Sequence, residues 1–166
     1  MVYTDIYRYT LWYFMFIQQV CNALNKAKIP YAIVGGYAVA LHGAPRGTFD
    51  VDFIIEWSLS NIQKTEKALK SLGLVSRLPL DAEAVFHFRD EYIHKRNLIA
   101  WNFYDPINPS RQVDFVIAYD LSKKTTKRVK TAEGNIKILS RPDLIAMKKA
   151  SGRPQDLEDV RSMEQL

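Results

Sequence analysis

One cysteine, three histidines and no apolar run long enough to span a bilayer mark what this chain of 166 residues does without. Cys21, being alone, excludes an internal disulfide and suits a reducing compartment, so the expected setting is the cytoplasm. It falls among helically spaced apolar residues, which assigns it to core packing rather than to chemistry. His87 and His94 lack ligand spacing to each other or to a cysteine, which argues against a zinc site. The stretch Leu11-Trp12-Tyr13-Phe14-Met15-Phe16-Ile17 falls far short of the ~20 residues a membrane helix needs. No basic n-region and cleavage site surround it, so no signal peptide is expected. Internal repeats, low-complexity tracts and evident linkers are missing too.

What remains is a soluble globular composition, 48% hydrophobic and 25% charged. The net charge of +5 comes from 23 Lys and Arg against 18 Asp and Glu, and is compatible with nucleotide or RNA partners without demanding them. The length fits one domain, 1–166, with an N-terminal helix in 1–29, a sheet core in 30–139 and C-terminal helices in 140–166. Helices and strands in that arrangement define an α+β class.

Ile17, Val20, Cys21 and Leu24 follow helical spacing within a helix expected over Thr4 to Lys28. Its first half is apolar all round, so it is either covered by the rest of the domain or meets a second subunit or partner protein. Tyr31 to Val34 reads as a strand, Tyr37 to His42 as a short helix, and Thr48 to Glu56 as a second strand. A helix over Asn61 to Leu72, capped by Ser60 and stopped by Gly73, follows. Pro79 and Asp81 suggest a turn into a short helix over Ala82 to Arg89, with a solvated segment from Glu91 to Arg96. Leu98 to Tyr104 and Gln112 to Ala118 form an expected antiparallel hairpin. Lys123, Lys124, Lys127, Arg128 and Lys130 make the densest basic cluster, either a solvated connection or a contact for an RNA backbone. Ile136 to Leu139 is an expected strand. Ser140 caps a helix ending at Ser151, and Pro154 opens the last helix.

The chemistry concentrates between Val34 and Ile55. Gly35 and Gly36 follow an apolar strand and precede a helix, an arrangement that offers free N–H groups to an anion. Asp50 and Asp52 flank Val51 in the next strand, on one face and with Cα atoms roughly 6.6 Å apart. Two acids so placed are costly unless compensated, and a divalent metal would compensate them. Asp114 is a third acid inside an apolar strand. It is either paired with a nearby Arg or Lys, or it converges with Asp50 and Asp52 on two Mg²⁺ ions suited to in-line attack at phosphorus. His42 ends the short helix, as a cap or as a substrate contact.

The ordered set resembles the nucleotidyltransferases with a polymerase-beta-like core, and more narrowly the compact bacterial group related to the AbiEii toxin nucleotidyltransferases. The resemblance runs from Gly-Gly-Tyr-Ala-Val-Ala-Leu-His-Gly through Arg46, Thr48, Asp50 and Asp52 to Asn102-Phe103-Tyr104-Asp105-Pro106 and Gln112-Val113-Asp114. It ends on Asp143 to Ala150 and Arg153 to Asp159. It implies a mixed β-sheet flanked by helices, with Gly35 and Gly36 holding the triphosphate of an NTP. Asp50, Asp52 and Asp114 would bind Mg²⁺ or Mn²⁺, as two ions, and Asp114 would assist deprotonation of the acceptor. Arg46 and Thr48 would steady phosphate or the turn, and Lys148 would reach toward the triphosphate. Tyr37 departs from the family, many members of which carry Ser there. Arg153, Asp156 and Asp159 read instead as an ion-pair set between the last helices.

The expected activity is transfer of a nucleoside monophosphate to a hydroxyl on RNA or tRNA, a small compound or a protein, with a toxin–antitoxin pair as the setting the resemblance implies. The alternative is a nucleotide-binding component of such a complex with little turnover.

Overall fold

The apolar run Tyr31–Val34 is buried at every position and forms β1 of a computed structural model that describes residues 3–48 and 50–166, with side chains from Tyr13 onward. A long helix, α1 (Tyr3–Lys26), precedes it. Gly35 takes φ +66° and turns the chain straight from β1 into α2 (Gly35–Leu41). The short helix therefore begins two residues earlier than its apolar residues suggest, because the glycine removes any need for a connecting loop.

The next strand, β2 (Asp52–Ile55), is shorter than the expected Thr48 to Glu56. Asp50 precedes it with an exposed side chain, Val51 is buried, and Phe49 lies outside the described residues. Helix α3 (Leu59–Ser71) is capped by Ser58 rather than Ser60, since the Ser58 side chain accepts a hydrogen bond from the Asn61 N–H. A two-residue strand, β3 (Val75–Ser76), had no signature in the sequence. Helix α4 (Ala82–His87) is capped by Asp81, and α5 (Arg89–Arg96) has no buried residue, in keeping with its polar composition.

β4 (Ala100–Tyr104) and β5 (Gln112–Val116) pair as the expected antiparallel hairpin. After a single 3-10 turn the basic run becomes a strand, β6 (Thr126–Thr131), rather than a loop. Thr126, Val129 and Thr131 supply its β-propensity, and lysines and an arginine suit an edge strand that must not pair further. β7 (Gly134–Leu139) follows. Helix α6 (Arg141–Ser151) starts at a Ser140 cap and stops at Gly152, and α7 (Pro154–Glu164) completes the chain as expected.

The seven strands form one mixed sheet in the order β3-β4-β5-β2-β1-β7-β6. Register decides what each face carries. Trp101, Phe115, Phe53, Ile33 and Ile138 stand abreast across five strands, and all are buried. Phe53 and Phe115 stack with ring centroids 5.2 Å apart. α1 covers this face: its Ile17, Val20, Cys21 and Leu24 are fully buried, and Cys21 meets the Tyr31 hydroxyl. Gln18 accepts from Thr131 at 2.7 Å, and Asn25 donates to the Asn135 carbonyl at 3.1 Å, tying the helix to the β6–β7 hairpin. One face of the described part of α1 is thus covered by the sheet and Met15 is left exposed, while the side chains of Leu11 and Trp12 lie outside the described residues. Among the described residues, no helix is long and apolar enough to cross a membrane.

Candidate active site

One residue along each strand, the same register brings a different row to the opposite face. Asn102, Asp114, Asp52 and Val34 stand abreast on β4, β5, β2 and β1. Asp52 and Asp114 are direct partners on parallel strands, where neighbouring backbones lie about 4.8 Å apart. Both are half-buried. Burial first, then the Asp114 and Asp50 charges, push the Asp52 carboxyl up to about 6, against a smaller opposing pull from Arg153 and Lys148. Burial also raises Asp114, with Asp50 adding to the shift. The Asp50 charge therefore acts on both partners from its exposed position ahead of the strand.

The glycine pair is built into this row. A β-carbon on Gly35 would collide with Asp52 Oδ2, so the turn and the carboxylate are packed against each other. A β-carbon on Gly36 would come within 3.1 Å of the Thr48 side chain and 3.4 Å of Arg46 Cζ. Gly36 thus seats the Arg46–Thr48 segment against α2. Thr48 Oγ1 also donates to the Asp50 carbonyl at 3.4 Å, and Arg46 donates to the Gly47 carbonyl at 2.7 Å.

Lys148 does not stand free. Its ammonium lies 2.6 Å from Asp159 Oδ2 and 3.1 Å from Asp156 Oδ1, and the residue is only 6% exposed. Arg153 closes on the other Asp156 oxygen at 2.7 Å, and Arg46 Nε approaches Asp159 Oδ1 at 3.1 Å. Burial alone would raise Asp156, yet hydrogen bonds from Arg153, Ser151 and Lys148 hold it well below the usual carboxylate range. The expected ion-pair set of Arg153, Asp156 and Asp159 is present. It is larger than expected, for it also takes in Lys148 and Arg46 and so links α6, α7 and the loop before β2. His42, by contrast, is the C-cap residue of α2, its backbone N–H bonded to the helix's last carbonyls. Its ring ties the helix end to β7, with Nε2 2.8 Å from the Leu139 carbonyl oxygen, and burial lowers its pKa.

Three side chains at the site carried no assigned role in the sequence. Asn102 donates to Asp114 Oδ1 at 2.8 Å. Arg77, just after β3, donates through Nε to Asn102 Oδ1 at 2.8 Å. Tyr13 of α1 places its hydroxyl 3.5 Å from the Gln112 carbonyl oxygen. Its pKa is raised by burial first and then by Asp50, Tyr37, Asp114 and Asp52, which puts the phenol beside the acids. Only Asn102 left a trace, as a polar residue in step with Asp114 across the hairpin. Among the described residues, no three acidic, histidine or cysteine side chains are grouped as a ready metal cage.

Solved structures share this architecture. The antibiotic-resistance factor ANT(2'')-Ia in solution matches with a TM-score of 0.56 and 16% identity, over 90% of this chain and 80% of that one. A nucleotidyltransferase-like antigenic protein from Paracoccidioides brasiliensis matches with a TM-score of 0.57 and 21% identity, over 88% of this chain and 72% of that one. A Thermotoga maritima protein proposed to be a nucleotidyltransferase gives a TM-score of 0.57 and 14% identity, over 97% of this chain and 93% of that one. The fold is a nucleotidyltransferase fold. No protein-family model matches the sequence, and no curated protein matches it. At these identities the likeness fixes the mixed sheet and its helices, and the site must be argued from this chain's own residues.

Proposed function

We propose that the protein transfers a nucleoside monophosphate from an NTP to a hydroxyl acceptor and releases pyrophosphate, with help from Mg²⁺ or Mn²⁺. One observation carries this reading: Asp52 and Asp114 sit side by side and half-buried, with no cation at ion-pair distance among the described residues, and Asp52 lies directly against the Gly35 turn. The donor set fits a hard divalent ion, because it offers carboxylate oxygens whose burial and mutual repulsion raise Asp52 despite the pull of Arg153 and Lys148. Asp50, Asp52 and Asp114 would hold two such ions. Bound there, they supply charge stabilisation for the attacking and leaving oxygens.

The remaining steps belong to the chain. The Gly35–Gly36 backbone offers N–H groups to the triphosphate, with Thr48 and Arg46 seated beside it. Lys148 and Arg153, though paired with Asp156 and Asp159, exert a small favourable pull on Asp52. Asp114, one strand farther from the Gly35 turn than Asp52, would take the proton as the acceptor oxygen attacks phosphorus. ANT(2'')-Ia has been solved with adenylyl-2''-tobramycin, which keeps a small hydroxyl compound among the acceptors, beside RNA or tRNA and a protein side chain. The resemblance to the AbiEii-related group favours the last two and a toxin–antitoxin setting, with the N-terminal helix as the surface for a partner or a second copy.

Labelled NTPs incubated with the protein, Mg²⁺ and an acceptor panel test the proposal. Label transfer and pyrophosphate release by the wild type, lost by at least about a hundredfold in Asp50→Ala/Asp52→Ala, are expected. Equal transfer by both proteins would overturn it.

A second reading is a nucleotide-binding component with little turnover. It is favoured by Lys148, whose charge is already neutralised by Asp156 and Asp159. Calorimetry showing tight NTP binding with no pyrophosphate release across the panel would select it.

A further inference from the structure

The hydrogen bonds that meet at Asp114 form a directed chain. Arg77 can only donate, so Asn102 must present its carbonyl oxygen to Arg77 Nε, 2.8 Å away. The amide nitrogen of Asn102 is thereby turned toward Asp114 Oδ1, also at 2.8 Å. An ionised carboxylate only accepts, so the second bond has the correct sense as well. The orientation of the Asn102 amide is fixed by its two neighbours.

Arg77 is itself held on three sides. Its backbone N–H donates to the Asn102 carbonyl at 3.0 Å, extending the β3–β4 pairing by one residue. Its Nη2 donates to Gln112 Oε1 at 3.2 Å, and its guanidinium lies 4.5 Å over the Tyr104 ring. The two-residue strand β3 buries little of its own, since Val75 is 38% exposed. What it does deliver is Arg77.

We propose that Arg77 and Asn102 are positioning residues for Asp114, a hydrogen-bonded strut that occupies Oδ1 and leaves Oδ2 as the oxygen for cation and acceptor. The inference rests on the nucleotidyl-transfer reading of this site. A carboxylate free to rotate would offer its two oxygens in many orientations, whereas one pinned by a neighbour on the adjacent strand offers a single oxygen in a single direction. Partners of this kind commonly change metal affinity by about 10–100-fold when removed.

Mn²⁺ alone, titrated into the full chain and followed by electron paramagnetic resonance, is the test. Asn102→Ala should weaken Mn²⁺ binding about tenfold. Asn102→Leu, which keeps the volume but not the amide, should do the same and guards against a mere packing defect. Arg77→Ala should weaken binding less, and Arg77→Ala/Asn102→Ala should be no worse than Asn102→Ala, because Arg77 acts through the amide. In turnover, kcat should fall in the Asn102 variants while the KM for NTP stays unchanged. Unaltered Mn²⁺ affinity in both Asn102 variants, or fully additive losses in the double variant, would overturn the strut and leave the nucleotidyl-transfer reading standing. A wild type that binds no Mn²⁺ would overturn the metal-assisted reading and the strut together.

Discussion

Two pairs of buried or half-buried aspartates, Asp156 with Asp159 and Asp52 with Asp114, have opposite electrostatics. Asp156 and Asp159, 2% and 3% exposed, are matched by Lys148, Arg153 and Arg46 at ion-pair distance. Asp52 and Asp114 share a register position and, among the described residues, find no cation within such a distance; Asp114 accepts instead from the Asn102 amide. Residue type is the same in both groups, so the difference lies in what the fold brings to them. In the first group every charge is answered and the cluster fastens α6 and α7 to the loop before β2. In the second the fold concentrates negative charge and leaves it for something else to answer. Burial and like charge then raise Asp52, while matched cations depress Asp156.

The largest effect should come from breaking the matched group. Lys148→Met leaves two buried carboxylates short of a cation and should cost about 3–5 kcal/mol in urea unfolding. If that variant is as stable as the wild type, the cluster is not the fastening described here. A smaller effect should mark the unmatched group: millimolar Mg²⁺ should stabilise the wild type at pH 8 by about 1–2 kcal/mol and do little for Asp52→Asn. Equal stabilisation of both would place the ion elsewhere. The smallest effect is expected at Lys149, whose 2.7 Å contact with Glu164 is exposed. Lys149→Ala should change stability by less than about 1 kcal/mol, the range of surface pairs, against the much larger loss at its neighbour.

The reasons some features were legible in the sequence are physical. β1, the β4–β5 hairpin, α6 and α7 announce themselves through local signals: an apolar run, alternation, a serine cap, Gly152 and Pro154. Gly35, Asp52 and Asp114 were readable as an ordered set, and the register places them together. The edge strands were not readable. β6 is masked by its lysines, and β3 is too short for any period to show. The extent of β2 was overdrawn, because Asp50 alternates with Asp52 yet precedes the paired segment. Tyr13 and Arg77 depend on contacts between distant segments, and no local spacing encodes those. The resemblance has Lys148 reaching toward the triphosphate; in the structure Asp156 and Asp159, one turn apart on α7, hold its ammonium.

The central claim is that the Asp52 charge is held against the preference of the fold. Unfolding free energies of the metal-free wild type and of Asp52→Asn, compared from pH 4 to pH 8, test it most directly. With its carboxyl raised to about 6, Asp52 binds its proton more tightly in the folded chain than in the unfolded one. Its favourable contribution is therefore full below the unfolded value near 4 and is lost as pH rises through about 6. The wild type should lose about 2 kcal/mol relative to Asp52→Asn across that window, leaving the variant the more stable at pH 8. A difference that stays flat with pH, or a variant less stable than the wild type at pH 8, would contradict the account.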